Sequence, residues 1–345
     1  MDVHEAVVIG AGQAGLSSSY HLRRVGIEHV VLDAGARPGG AWQHRWDSLA
    51  MADVHGIADL PDAPAPARTD ARANLVVPAY FAAYEAGNDL PVLRPVRVDG
   101  VESEGDLLVV RAGERAWRTR ALVNATGTWT RPFVPHYPGI ESFRGEQLHT
   151  VDYPGADHFR GKRVLVVGGG ASAVQLLGEI APVAQTIWVT RSEPVWVDHF
   201  DREDGRAAVA LVEERVRRGL PTASVVSVTG LHLRPQEQRA EELGAYARRP
   251  MFEQVEPNGV RWHDGSFEQV EVILWATGFR PAVNHLAPLH LRSPLGGIQL
   301  DGPTAMQDPR VQLVGYGPSA STIGANRAGR AAARAVSRLL ADQAA

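Results

Sequence analysis

The strongest constraint on this chain is a phrase written twice. Near the start, the apolar run Ala6 to Ile9 ends in Gly10-Ala-Gly12-Gln13-Ala14-Gly15. A helix is expected over Gly15 to Arg24, and a second apolar run, Val30 to Leu32, stops at Asp33. In the middle, Arg163 to Val167 ends in Gly168-Gly169-Gly170-Ala171-Ser172-Ala173. A helix is expected over Ser172 to Ile180, and the run Thr186 to Thr190 stops at Arg191. Asp33 stands 23 positions after Gly10, and Arg191 stands 23 positions after Gly168. Short β-branched runs that end at glycines read as buried parallel strands, so each phrase is a strand–turn–helix–strand unit.

Two such units at one pitch predict an α/β chain with two Rossmann-like dinucleotide-binding domains. Each is closed by the same words: Leu122 to Gly127 reads LVNATG, and Ile273 to Gly278 reads ILWATG. The 345 residues suit about two domains. The expected division is a discontinuous domain of residues 1–155 and 270–345, with residues 156–269 inserted as the second. Pro61 to Asp70 reads as a Pro/Ala-rich connector. Residues 206–218 read as an exposed helix with Val209, Val212 and Val216 at helical spacing, 231–250 as a polar helix with a loop, and Gly329 to Leu340 as an amphipathic helix.

The glycine positions carry the chemistry. Gly10 makes the tight turn, Gly12 lets backbone approach a pyrophosphate, and Gly15 lets the helix pack close to the strand. The helix start then offers free N–H groups and a partial positive charge to phosphates. Asp33 stands where an acid accepts hydrogen bonds from the ribose hydroxyls. Gly39-Gly40-Ala41-Trp42 supplies a second wall, and Gln13, Ala14, Val98, Ala125, Thr126 and Gly127 complete the expected contacts of this dinucleotide.

The second unit has the G-x-G-x-x-A form, with Gly168, Gly170, Ala171, Ser172 and Ala173 as its cradle and Ala276, Thr277 and Gly278 beside it. Its second strand ends in Arg191-Ser192 rather than in an acid. A guanidinium and a hydroxyl there can grip a 2′-phosphate, which an acid would repel. The competing reading of Arg191 is a surface residue paired with Glu193. The first site therefore suits FAD and the second NADPH, and the pair implies hydride transfer to a flavin ring.

Composition removes other classes. The formal charge of −4 gives no bulk attraction for nucleic acid. With no cysteine, a disulfide scaffold, a Cys-based zinc site and a dithiol relay are all excluded. No metal is expected, because His55, His158, His199, His263, His285 and His290 lack paired ligand spacing. No signal peptide or membrane span is read, so a cytoplasmic location is expected.

Between the glycine fingerprints, residues 143–153 read FRGEQLHTVDY, which is F-x-G-x-x-x-H-x-x-x-Y on Phe143, Gly145, His149 and Tyr153. This resembles the identifying sequence of flavin-containing monooxygenases. Related Baeyer–Villiger monooxygenases usually carry Trp where Tyr153 stands. Ala276-Thr277-Gly278-Phe279-Arg280-Pro281 resembles the family's second ATG motif, and the likeness runs over nearly the whole chain, as in compact bacterial members. It implies a cycle in which NADPH reduces FAD and the reduced flavin takes up dioxygen. One oxygen atom then passes to a soft nucleophile, typically sulfur or nitrogen, while the other leaves as water. No protein acid or nucleophile is obligatory in such a cycle.

His149 is therefore expected to be a hinge or core histidine within a linker that positions NADP⁺. Larger members carry an asparagine on the flavin face, in the loop after the region matching Trp46; here residues 48–55 read SLAMADVH. Asp53 and His55 are the candidates to face the flavin. Thr322 and Ile323 open the last helix, whose N-terminus is expected at the flavin pyrimidine carbonyls.

The leading expectation is an NADPH:oxygen monooxygenase acting on sulfur or nitrogen of small molecules. The partners expected are the substrate and O₂, with no nucleic acid and no membrane, and a homodimer is left open. Three rivals remain at this level: Baeyer–Villiger oxygenation of ketones, a flavin reductase or diaphorase, and an NADP(H) sensor that keeps the fold alone.

Overall fold

A computed structural model describes residues 3–54, 57–197, 202–222, 230–231, 233–234 and 237–344. Of these, 202–208 and 322–323 are described by backbone alone. The chain divides into two compact units, one of Met1–Thr130, Val209–Val225 and Pro281–Ala345, the other of Arg131–Ala208 and Val226–Arg280. No helix among the described residues is long and apolar enough to cross a membrane.

The first unit is built on a parallel sheet. Strand Val3–Ile9 lies between His29–Leu32 on one side and Arg115–Asn124 on the other, with Ile9 level with both Leu32 and Asn124. Val92–Leu93 extends one edge and Val311–Leu313 the other, both parallel. An antiparallel ribbon, Gly100–Glu104 and Leu107–Ala112, joins through Arg115–Asn124. Val7, Leu32, Leu108, Leu122 and Leu313 fill the core beneath.

Helix Gln13–Arg24 buries Ser17, Ser18 and Ser19, which is unusual for a core-facing stretch. The reason is distance. A Cβ on Gly329 of the C-terminal helix Thr322–Ala344 would stand 2.7 Å from Ser17 Oγ and 2.8 Å from Ser18 N, so only small residues fit where these two helices cross.

The second unit repeats the plan with a smaller parallel sheet. Its order is Arg248–Arg249, Gln185–Val189, Arg163–Val167, Val272–Trp275 and Glu146–His149. Helix Ala171–Ile180 follows the central strand. Leu165, Val167, Phe252, Ile273 and Trp275 form its core with Phe143.

The units divide at points other than 155 and 269. Residues 131–155 fall in the second unit because Glu146–His149 pairs with Val272–Trp275, register Glu146↔Val272 to His149↔Trp275. The helix expected at 206–218 runs over Arg202–Arg217 and is not simply exposed: Val216 joins the core of the first unit and Val212 is fully buried. The other elements match the sequence pattern to within a few residues, except that the described residues of 231–250 include a short helix, Gln238–Glu242, and the strand Arg248–Arg249, and the last helix starts seven residues before Gly329.

Candidate functional site

The two fingerprints fold to the same local geometry, and the closing ATG words explain themselves there. Gly10 has φ +98°, and a Cβ on it would lie 2.7 Å from the carbonyl oxygen of Ala125. Gly168 has φ +141°, and a Cβ on it would lie 2.2 Å from the carbonyl oxygen of Ala276. Each glycine turn is thus pressed against the alanine of its own ATG, where no side chain fits. Gly15 obeys the same logic one turn later: its Cβ would meet Gly10 O at 1.9 Å. Ala173, the fully buried counterpart in the second unit, tolerates a methyl group.

The middle glycines differ. Among the described residues, nothing stands within 4 Å of a Cβ built on Gly12 or on Gly170, so both turns open at a helix start. Neither helix has a side-chain cap or an acidic residue in its first turn, which leaves the orphan N–H groups available. The 3₁₀ turn Gly40–His44, which includes Trp42, leans on the first cradle, since a Cβ on Gly40 would stand 3.0 Å from Gly12 Cα. Buried Gln13 donates through Nε2 to Ala58 O at 2.8 Å, while its Oε1 has no partner among the described residues. An open glycine turn, an uncapped helix start and an unsatisfied buried acceptor suit the polar pyrophosphate of a dinucleotide. The same shape at Gly170–Ala173, with Ser172 half-buried, suits a second one.

Asp33 ends its strand as expected. Its Oδ1 accepts from Gly35 N at 2.8 Å, and its Oδ2 lies 3.3 Å from Arg94. Arg94 was not legible as a site residue. It follows the short strand Val92–Leu93, which runs beside Val31–Leu32, and this brings a cation beside Asp33. Arg94 is held by Glu85 at 2.6 Å, and all three side chains are only 11–12% exposed. With two carboxylates on one guanidinium, the cluster keeps an acidic balance, so it still offers acceptors to ribose hydroxyls rather than a grip for a phosphate.

Arg191 and Ser192 end the matching strand of the second unit and are exposed. Glu193 does not pair with Arg191; it is bound by Arg248, whose guanidinium also donates to Thr190 Oγ1 at 2.8 Å and to Thr190 O. The competing reading of Arg191 as the partner of Glu193 therefore fails on geometry.

Around the first ATG, Asn124 is buried, accepts from His285 Nε2 at 2.6 Å and donates to Thr126 Oγ1 at 3.0 Å, and Thr126 donates to Ala282 O at 2.6 Å. Burial pushes the His285 imidazole down to about 4, so it is neutral and donates from Nε2. Ala125 is buried, Gly127 O accepts from Ala282 N at 2.9 Å, and Val98 packs against the core. In the second unit, Thr277 Oγ1 donates to Phe133 O, and Gly278 O meets His149 Nε2 at 3.0 Å.

Both ring nitrogens of His149 are engaged, because Nδ1 accepts from Val151 N at 3.3 Å. The ring is buried edge-on to Phe279, and burial lowers its pKa. It fastens the Phe143–Tyr153 segment to the second ATG and has no nitrogen left for acid–base work. Tyr153, also buried, donates to Glu179 at 2.9 Å. Asp53 is half-buried in a turn closed by its own N–H to Ala50 O. His55 and His199 lie outside the described residues. Thr322 and Ile323 open the C-terminal helix, with their side chains outside the description.

Comparison with known proteins agrees with this architecture. Residues 7–293 match the family described as pyridine nucleotide-disulphide oxidoreductase, although a chain without cysteine cannot run its dithiol chemistry. A flavin-containing monooxygenase from Stenotrophomonas maltophilia superposes with a TM-score of 0.85 at 39% identity, covering 98% of this chain and 99% of that one. Indole-3-pyruvate monooxygenase YUCCA1 of Oryza sativa subsp. japonica is 28% identical over 319 residues, 81% of this chain and 77% of its own length. A Baeyer–Villiger monooxygenase of Streptomyces coelicolor is 29% identical over 241 residues, 64% of this chain and 44% of its own. With its two dinucleotide cradles and the Phe143–Tyr153 segment between the fingerprints, the chain belongs to the flavin-containing monooxygenases, the FAD- and NADP-binding flavoproteins of the pyridine nucleotide-disulphide oxidoreductase family.

Proposed function

We propose that the chain is an NADPH-dependent monooxygenase that transfers one oxygen atom of O₂ to sulfur or nitrogen of a small molecule. The balance is substrate plus O₂, NADPH and a proton to oxygenated substrate, NADP⁺ and water. The observation that carries this reading is the pair of open, uncapped glycine turns, each seated on its own ATG, together with the 39% identical relative over 98% of the chain.

The first cradle, Gly10 to Gly15 with Asp33, Gly40 and Trp42, would hold FAD, which supplies the oxygen chemistry when bound. The second, Gly168 to Ala173 with Ala276 to Gly278, would hold NADPH, with Arg191 and Ser192 gripping its 2′-phosphate. Arg191 suits this role because it is exposed and Glu193 is already taken by Arg248. His149 keeps the Phe143–Tyr153 segment on the Gly278 carbonyl, and so shapes the wall next to that cradle without exchanging protons. The domain reading follows: an FAD domain from both ends of the chain, with the NADPH domain inserted.

The test is turnover of methyl phenyl sulfide with NADPH under ¹⁸O₂. The expected product is a sulfoxide that carries one heavy oxygen. NADPH consumption with no labelled product would make the chain a reductase. A second reading, oxygen insertion beside a carbonyl, draws on the Streptomyces coelicolor relative. Conversion of a ketone to an ester with sulfides untouched would establish it instead.

A further inference from the structure

Several buried guanidinium groups among the described residues have carboxylate partners. Arg94 has Asp33 and Glu85, Arg234 has Glu237, and Arg310 has Asp308. Arg45 has none. It follows the 3₁₀ turn Gly40–His44, and its backbone is fixed by Asn74, whose Nδ2 donates to Arg45 O at 2.9 Å and to Asp47 at 2.8 Å. Its Cζ lies 4.7 Å from the centre of the Trp129 ring and 5.5 Å from that of Trp42. His44 stacks on Trp129 with ring centres 6.2 Å apart. Arg45 Nε is buried with no acceptor among the described residues.

Two indoles offset part of the desolvation of a guanidinium, but they satisfy none of its N–H groups. Burial without a countercharge lowers its pKa to about 10. A cation kept in such a place calls for an anion, and its planar fork matches a carboxylate. The position adds the function. The turn before Arg45 leans on Gly12, so an anion at Arg45 would stand beside the first cradle. The dinucleotide phosphates have their own donors there, the uncapped start of helix Gln13–Arg24.

We propose that Arg45 receives the carboxylate of the substrate, with Trp42 and Trp129 as apolar walls. The substrates are then organic acids that carry sulfur or nitrogen on a flat apolar body. This rests on the reading that the first cradle holds FAD and that the chain oxygenates such atoms.

The test titrates the FAD-loaded protein with para-(methylthio)benzoate and with its methyl ester, following the flavin difference spectrum. The acid is expected to bind at least about tenfold more tightly than the ester, a difference of about 1.4 kcal/mol. Arg45→Met should abolish that preference with flavin content unchanged, and Arg45→Lys, which keeps the charge without the fork, should retain part of it. Should Arg45→Met fail to fold, the lysine variant carries the test: acid binding must weaken severalfold while ester binding stays.

Equal affinity of the wild type for acid and ester overturns the proposal. So does loss of flavin from Arg45→Met, since the oxyanion served would then be the cofactor's own phosphate. Binding is read without turnover. A chain that prefers the acid but inserts no labelled oxygen into either compound would sink the monooxygenase reading and leave the anion receptor standing.

Discussion

His285 offers a sharp quantitative test of the structure. Its Nε2 donates to the buried Asn124, and burial holds the folded imidazole at about 4, against an ordinary 6.5. Above pH 6.5 the ring is neutral in both states and contributes no pH dependence. As pH falls below 6.5, the unfolded chain takes up a proton that the folded chain refuses until pH nears 4. The unfolded state then binds more protons, so stability falls with falling pH through that window. At about 1.4 kcal/mol for each unit of pKa difference, the loss reaches about 3 kcal/mol at pH 4. His285→Gln keeps a donor toward Asn124 and cannot titrate. Urea unfolding of both proteins, stepped from pH 7.5 to 4, isolates the term, because the other histidines whose pKa is lowered by burial, His21, His29, His44 and His149, cancel between the two. The wild type should lose about 3 kcal/mol relative to the variant across the window. A stability difference that stays flat with pH would mean that His285 is solvated in the folded protein, and the Asn124–Thr126 network would have to be abandoned.

The glycine turns separate folding from binding. Gly12→Ala places its methyl group in open space, so stability should change by less than about 1 kcal/mol while flavin affinity drops at least about tenfold, both read on one sample by denaturation and flavin fluorescence. Gly10→Ala, at φ +98° with its Cβ 2.7 Å from Ala125 O, should instead lower stability by more than about 2 kcal/mol. Arg94→Met leaves Asp33 and Glu85 facing each other in a buried site, and a loss of about 3 kcal/mol is expected in urea; an unchanged midpoint would show the cluster to be hydrated. Arg191→Ala should raise KM for NADPH about tenfold or more, the loss of one charged phosphate contact, with KM for NADH little moved, and equal losses for the two cofactors would remove Arg191 from the 2′-phosphate.

What was legible in the sequence was whatever local rules enforce. The fingerprints could be placed because a strand, a glycine turn and a helix start are adjacent in the chain, and their geometry follows from backbone sterics alone. Helix Ala171–Ile180 and strand Arg163–Val167 stand where the apolar pattern puts them. The unit boundaries were not legible, because they are set by pairing across long separations. Only the register of Glu146–His149 on Val272–Trp275 assigns residues 131–155 to the second unit. Val216 looked like the apolar stripe of a surface helix, and nothing nearby in the sequence shows that the first unit's core receives it.

The same boundary runs through the site. Asp33, Gly12 and Gly170 are set by their neighbours and were readable. Arg94 acts through partners 9 and 61 positions away, Asn124 and His285 through each other across 161 positions, and Arg45 through the lack of a partner among the described residues. Arg94 reaches Asp33 only because Val92–Leu93 runs beside Val31–Leu32, a juxtaposition that a parallel sheet creates and a linear pattern does not encode. The residues proposed to bind the shared parts of a dinucleotide are therefore the readable ones, since those parts demand a fixed local backbone. Residues that would distinguish one substrate from another are placed by tertiary contacts, and Arg45 between its two tryptophans could be recognised only once the fold showed no carboxylate beside it among the described residues.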